Sequence, residues 1–553
     1  MVNLRDCPAT MIPALSQDNL NLFRKLYVPR NWIQRFRVQD HRLDLLRQIE
    51  ASGQIAAIPC LFHFLHGENE EFSHAAAGSM HRLFQGLAPQ DFPAFDESMR
   101  RASWNSWNAD AYTFVNPPKD IRALSRFGEL SFFLVGILSC HADGYTREAA
   151  IRALAKCDTG EELPFVLLRV NDWVENVRQA AAEVLASRIK QEYIPQFVKF
   201  LPLVLRLKGT KRQDHGATLQ RIQDLFSLPV ALPSIETGMS SKEILTRRFC
   251  YGVALKTCGS DRLASVVRRA LADRDVRISL DAVRAMSSAP SSSIVREIVD
   301  EALLGSIPAV RLAALRLVIK KYPESARAEC LKGLLDRNFG VRQQAQFYFR
   351  KAGSLDVCDF YAAALSNATN KTLPVVITGI GECCGKTQID LIKPRLTSKL
   401  SAVRVRVLRS IARLDPKYSL DDYLKALEDE SSAVVREAAL FIRKRVNSVG
   451  GEQIWNIHGQ LKRPGHRRWT LFLLLGLMKW DCLYYLIQAQ ADQDASVAEL
   501  ARKYFGLWLK RYNRSFIPPS KAQIEKLKAA LHEHELLFSS ADHKQLVSLL
   551  SAV

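Results

Sequence analysis

The chain has 553 residues, of which 48 % are apolar and 24 % charged, the proportions of a folded globular protein. A chain this long buries enough of its own surface to fold without disulfides or a structural metal. Its longest apolar run, Trp469 to Met478, is about half of the roughly 20 residues that a spanning helix needs. The opening MVNLRDCPATMIPALS has no basic stretch followed by an apolar core, so no signal peptide is expected. Collagen-like, disulfide-knot, membrane-spanning and disordered classes are excluded.

Lys and Arg number 77 against 57 Asp and Glu, a net charge of +20. Residues 1–150 are close to neutral, so the excess lies beyond them; 391–470 alone hold 17 basic and eight acidic residues. A second basic run contains Arg502, Lys503, Lys510, Arg511 and Arg514. Charge confined in this way suggests an acidic partner: nucleic acid, an anionic membrane surface or an acidic protein. A solvated basic surface is the plainer alternative. The eleven cysteines are scattered, with no C-x-x-C pair, and the adjacent Cys383 and Cys384 suit neither a zinc knuckle nor an ordinary disulfide. Free thiols in a reducing cytoplasm are expected.

Residues 1–140 carry Trp32, Trp104, Trp107 and the turn Asn116-Pro117-Pro118 over weak periodicity, and read as a divergent helical cap or separate helical domain. A faint repeat, EEFSHAAAGSMHRLF, lies within them. From 141 to 515 one pattern recurs: a polar turn, Val-Arg, then small and apolar residues at helical spacing. It is seen in TREAAIRAL at Arg147, NDWVENVRQAAAEVLA at Arg178, DRDVRISLDAVRAM at Arg277 and SIPAVRLAALRLV at Arg311. It returns in DRNFGVRQQAQFYF at Arg342, SKLSAVRVRVLRSIARL at Arg404, ESSAVVREAALFI at Arg436 and DASVAELARKYF at Ala498. The intervals are near-multiples of 31–33 residues, with missing anchors expected near Arg212, Arg247, Leu373 and Arg468. Each unit holds two amphipathic stretches, such as Asp421 to Leu427 followed by Val434 to Val446. The pattern predicts an all-α, right-handed α-solenoid of about twelve helix pairs. Pro518-Pro519 then stops a helix, and 516–553 is expected to close the array with short helices over about 521–537 and 541–551.

These repeats resemble HEAT repeats, in particular the short variety first noted in phycobilisome lyases. That family places an acid in the turn and an Arg six residues later. Asp172/Arg178, Asp336/Arg342 and Glu430/Arg436 keep this spacing, whereas Gly305/Arg311, Ser398/Arg404 and Asp492/Ala498 keep half of it. The resemblance implies a ladder in which turn carboxylates cap second helices and meet an Arg of a neighbouring unit. Asp172, Arg178, Arg277, Arg311, Asp336, Arg342, Arg404, Glu430 and Arg436 are assigned to it, and so are structural. The resemblance is nearly silent about activity.

Two motifs imitate chemistry. Gly379-Ile-Gly-Glu-Cys-Cys-Gly-Lys-Thr387 looks like a phosphate-binding loop, but the position that must be the first glycine is Ile380. The repeat phase makes Val375 to Cys383 a second helix, Gly385 to Thr387 its exit and Gln388 to Leu396 the next first helix. Leu531-His-Glu-His-Glu-Leu has its His residues two apart, which a helix points in opposed directions rather than at one metal. His141 is expected in a turn. No catalytic, cofactor-binding or metal-ligating residue is assigned.

After the ladder is removed, Arg284, Arg316, Lys320, Arg350, Lys351, Arg406, Arg409, Arg413, Arg443, Lys444 and Arg445 remain on second helices. These are the candidate contacts for nucleic acid or an acidic partner, with part of their charge complementing helix C-termini. Trp455, Trp469, Trp480 and Trp508 are expected in the core rather than against bases. The leading expectation is a non-catalytic cytoplasmic scaffold that binds a macromolecule, foremost a protein, on its concave face. The alternatives are nucleic-acid binding over 240–515, or an enzyme resembling the HEAT-like alkylpurine DNA glycosylases, from which no residue carries over. No cofactor, membrane insertion or small-molecule substrate is expected.

Overall fold

The computed structural model describes residues 12–26, 41–66, 69–102, 121–515 and 517–551. Trp32, Trp104, Trp107 and the Asn116-Pro117-Pro118 turn lie outside the described residues. The chain forms two compact units, Met1–Ala302 and Leu303–Val553. The described residues are helical, with no strand. None of their helices is long and apolar enough to cross a membrane.

Within each unit, antiparallel helix pairs stack through apolar stripes at helical spacing. In helix Ser401–Leu414 the buried positions are Val403, Arg404, Val407, Leu408, Ser410 and Ile411, and in Ser432–Ile442 they are Val434, Val435, Ala438, Ala439 and Ile442. Both sets follow the i, i+4, i+8 and i+1, i+5 rows of one face. Second helices begin from side-chain caps where the sequence supplies them. Asp143 accepts from the Thr146 amide, Asp275 from Arg277 and Ile278, Asn338 from Gly340, and Asp494 from Ser496 and Val497.

The repeat has a fixed frame. The fourth residue of the second helix is Arg147, Arg178, Arg247, Ser279, Arg311, Arg342, Arg404, Val435, Arg467 or Ala498 in ten helices of this kind, and Val376 in the glycine-rich one. Arg277 is instead the second residue of Val276–Ser288, and Arg436 the fifth of Ser432–Ile442. A helix turns 100° per residue, so neither side chain points along the ladder. Both are exposed. The missing anchors expected near Arg247 and Arg468 are Arg247 and Arg467.

The glycine-rich segment is helix Leu373–Cys383, with Gly379 and Gly381 buried inside it. A Cβ on Gly379 would lie 2.3 Å from the Tyr361 ring, and one on Gly381 2.5 Å from the Ser410 hydroxyl. These glycines let neighbouring helices close in, and their amides serve the helix rather than a phosphate. The first helix expected over Gln388 to Leu396 is shorter, Ile389–Ile392, because Pro394 lacks an amide hydrogen and the chain tightens to a 3-10 turn over Lys393–Thr397. Lys386→Ala is expected to leave the melting temperature within about a degree and to remove no binding of a fluorescent ATP analogue. A nucleotide affinity lost in that variant would restore the phosphate-loop reading.

The expectation of free thiols throughout is corrected at one place. Cys358, on helix Val357–Ser366, is disulfide-bonded to Cys384, with 5.3 Å between Cα atoms. The stacking of that first helix on the exit of Leu373–Cys383 brings together cysteines 26 residues apart, which adjacency in sequence could not reveal. The neighbouring Cys383 keeps its thiol and donates to the Gly379 carbonyl at 3.0 Å.

Beyond Pro518-Pro519 lie helices Lys521–Glu533 and Ser540–Ser551. Ser520 and Gln523 form a reciprocal capping box at the start of the first.

Candidate partner-binding surface

Which charges are free to meet a partner depends on which are already used. Each ladder Arg has two attachments. It clasps its own turn: Arg467 does so through Nε to the carbonyl of Leu461 alone, and the others donate through Nη1 to the carbonyls five and six residues before them. Arg147 does so to His141 and Ala142, Arg247 to Ser241 and Lys242, Arg311 to Gly305 and Ser306, and Arg404 to Ser398 and Lys399. Its other nitrogens reach the turn carboxylate of the following unit. Arg147 meets Asp172 at 2.8 and 3.0 Å, Arg311 meets Asp336 at 2.7 and 2.9 Å, and Arg404 meets Asp429 at 2.7 Å twice. Arg247 reaches Asp273 at 3.0 Å and Arg467 reaches Asp492 at 2.7 Å. Each of these five carboxylates also accepts the amide two residues on, in Val174, Asp275, Asn338, Ser431 and Asp494. The capping expected of the ladder acid therefore falls to the residue two further on at Asp275, Asn338 and Asp494, and to no side chain at Val174 and Ser431.

Three assignments change in this geometry. The acid that meets Arg404 is Asp429, whereas Glu430 is exposed and no closer than 3.6 Å. Arg178 clasps the carbonyls of Asp172 and Trp173, but the carboxylate of Asp172 is taken by Arg147. Arg342 clasps Asp336 and Arg337 yet pairs with Glu382, on helix Leu373–Cys383, at 2.9 and 2.5 Å. The residue 25 positions after Arg342 is Asn367, which cannot carry the charge.

Asp172 is the most heavily used carboxylate. It is fully enclosed and receives Arg147, Arg169 at 3.0 Å, Arg100 at 3.4 Å and the Val174 amide. Burial alone would raise its pKa; the Arg147 hydrogen bond and the Arg169 charge outweigh this and hold it below the usual value. Asp336 is held low in the same way, by Arg311 against burial.

The remaining candidate cations fall into two groups. Arg284 lies in the first unit and pairs with Asp281 at 2.6 Å. The others lie in the second unit, where several are engaged. Arg316 donates to Gln344 at 2.9 Å, and Arg409 sits 2.7 Å from Glu437. Arg443 lies 4.9 Å over the Phe472 ring and donates to the carbonyls of Leu473 and Leu475 at the end of helix Pro464–Leu474. Arg445 donates to the Tyr418 carbonyl at 2.6 Å and covers the Phe441 ring. Arg413 is exposed, 3.6 Å from Glu382. Lys320, Arg350, Lys351 and Lys444 are exposed and make no hydrogen bond or ion pair among the described residues. Arg406 is half-buried and donates no hydrogen bond among the described residues.

Trp480 is buried and donates to the Ile517 carbonyl, and Trp508 donates to that of Lys479. Trp455 stacks on His458 at 4.7 Å, and Trp469 meets Phe472 edge-on. His141 accepts the Asp143 amide in its turn, and His534 bonds to Gln488 at 3.1 Å. In the first unit a hollow of about 1010 Å³ is walled by Phe84, Phe92, Phe133, Phe165 and Phe200. Phe84 stacks on Phe165 with 5.4 Å between centroids.

No family model matches the chain. No curated protein matches it either. Among solved structures, yeast importin-beta (Kap95p) is similar at 13 % identity, over 97 % of this chain and 73 % of that one, with a TM-score of 0.35. An importin beta crystallised in ammonium sulfate is similar at 11 %, over 94 % and 69 %, also at 0.35. Kap121p bound to Ste12p is similar at 12 %, over 94 % and 57 %, at 0.27. At TM-scores this low the likeness says nothing of what the chain binds.

Proposed function

We propose that the chain is a non-catalytic scaffold that takes a protein partner along the exposed sides of its second helices in the unit Leu303–Val553. One observation carries the reading: pairing leaves unneutralised cations at the ends of these helices. Lys320 ends Pro308–Lys321, Arg350 and Lys351 end Phe339–Ala352, and Lys444 follows Ser432–Ile442. Part of this charge complements helix C-termini, and the remainder faces solvent. Arg409, Arg443 and Arg445 hold helices together and are withdrawn from the candidate contacts. Glu382 and Glu437, though largely enclosed, neutralise Arg342 and Arg409 and so limit the spare positive charge, which suits a protein better than a polyanion.

A photo-reactive residue placed at Lys320, Lys351 or Lys444 is expected to join the chain to one and the same protein in extracts of its host. One placed at Asp359 or Asp390, exposed on first helices, is not. Equal capture from both sets, or adducts to nucleic acid from the second-helix set, overturns the reading.

A further inference from the structure

Helix Ser401–Leu414 presents Arg406, Arg409 and Arg413 at i, i+3 and i+7, on one face. The preceding second helix, Leu373–Cys383, supplies Glu382, and the following second helix, Ser432–Ile442, supplies Glu437. Both carboxylates are already claimed. Glu382 is gripped by the two nitrogens of Arg342, with Arg413 at 3.6 Å, and Glu437 lies 2.7 Å from Arg409. Four guanidinium groups thus share two carboxylates, and Arg406 is the one that forms an ion pair with neither. Burial, then the charges of Arg409, Arg342 and Arg413, lower its pKa against a weaker pull from Glu437. Arg406 is half-buried but none of its nitrogens is sealed from solvent without a partner, so an incoming anion can reach them, and it gains from the excess of positive charge around them.

We propose that Arg406 is the receptor for a single carboxylate side chain from an acidic segment of the protein partner. This rests on the scaffold reading and names the chemistry that the partner presents. The planar fork of a guanidinium matches a carboxylate at two nitrogens, and none of the five N–H groups of Arg406 is used. The flanking acids decide between one anion and many. A nucleic-acid strand carries a charge at every nucleotide, whereas Glu382 and Glu437 already occupy Arg342 and Arg409 and leave only Arg413 beside Arg406 to meet a second phosphate. A peptide meets this constraint with one Asp or Glu placed between neutral residues.

The test uses the full chain and two labelled probes of equal length, a dodecapeptide with isolated Glu residues and oligo-dT, followed by fluorescence anisotropy. The parent is expected to bind the peptide more tightly than the oligonucleotide. Arg406→Gln should weaken the peptide about ten- to thirtyfold, as loss of a charge-assisted hydrogen-bond pair does. Arg406→Lys should recover part of that loss, because it restores charge without the fork. Lys320→Gln, which removes a cation elsewhere on the same unit, should change the affinity less than threefold. Thermal unfolding of Arg406→Gln should be unchanged or raised, since the variant removes a like charge from a cluster. Unchanged peptide affinity in Arg406→Gln, or tighter binding of oligo-dT by the parent, overturns the proposal. A partner that still crosslinks at Lys320, Lys351 and Lys444 in the Arg406→Gln variant with undiminished affinity leaves the scaffold standing and removes this receptor alone.

Discussion

Replacing Asp172 with alanine is expected to cost the first unit about 3–5 kcal/mol, the range for breaking a buried ion pair from one side. The carboxylate is enclosed and serves Arg147, Arg169 and Arg100 at once, so its removal strands positive charge in the interior. Asp172→Asn should fare little better, because it keeps the shape and loses the charge. Unfolding in urea, read by circular dichroism, checks both, and a loss below about 1 kcal/mol would deny the cluster its structural weight. The same carboxylate gives stability a dependence on acid. Its folded pKa is depressed, so its contribution is complete above the unfolded value of about 3.9 and is lost as pH falls through the folded one. Asp336 acts in the same direction in the second unit. Acid unfolding of the parent should therefore steepen below about pH 4, and the Asp172→Asn variant should lose part of that slope.

The second large effect is expected at a residue with no charge. Gly379→Ala places a methyl group 2.3 Å from the Tyr361 ring, which is fully buried and fixed by its hydroxyl bond to the Leu334 carbonyl at 2.7 Å. The ring has little room to retreat, so the variant should lose about 1–3 kcal/mol to overpacking. The glycines of a phosphate loop would behave otherwise, failing in nucleotide binding while the fold held. Melting of Gly379→Ala beside Lys386→Ala separates the two, since only the first should fall. Equal and unchanged melting temperatures would mean that the helix pair has slack which the structure does not show.

Helix type and repeat length were legible because both rest on apolar spacing, which survives in every unit. The frame was legible only to within a residue. Arg277 and Arg436 share the Val-Arg dipeptide with true ladder positions, but lie two before and one after the fourth residue of their helices. Arg247 and Arg467 lack that dipeptide and yet occupy the position. A better signal was present: an Asp 25 or 26 residues after the Arg and two before the next helix cap. It finds Asp172, Asp273, Asp336, Asp429 and Asp492 together. The free surface was less legible, because pairing between units depends on which helices touch. Arg409 and Glu437 are 28 residues apart, and Arg443 finds carbonyls 30 and 32 residues on. Nothing in the local sequence distinguishes these cations from Lys444, which pairs with nothing.

The double attachment of each ladder arginine bears on how such a chain can grow. Where the pair is kept, as in Arg147–Asp172, Arg311–Asp336, Arg404–Asp429 and Arg467–Asp492, the offset is 25 residues and one repeat length holds one donor and one acceptor wherever its ends are cut. Tandem duplication of about 31 residues, from any starting point, thus creates a matched junction with no compensating substitution. An insertion of a few residues between a donor and its acceptor has no such immunity. Descendants of this gene should accordingly differ by whole repeats. Copies without the donor, as at Ser279, Val435 and Ala498, mark places where other contacts suffice, such as the Arg443 bonds to the carbonyls of Leu473 and Leu475 beyond the Val435 helix.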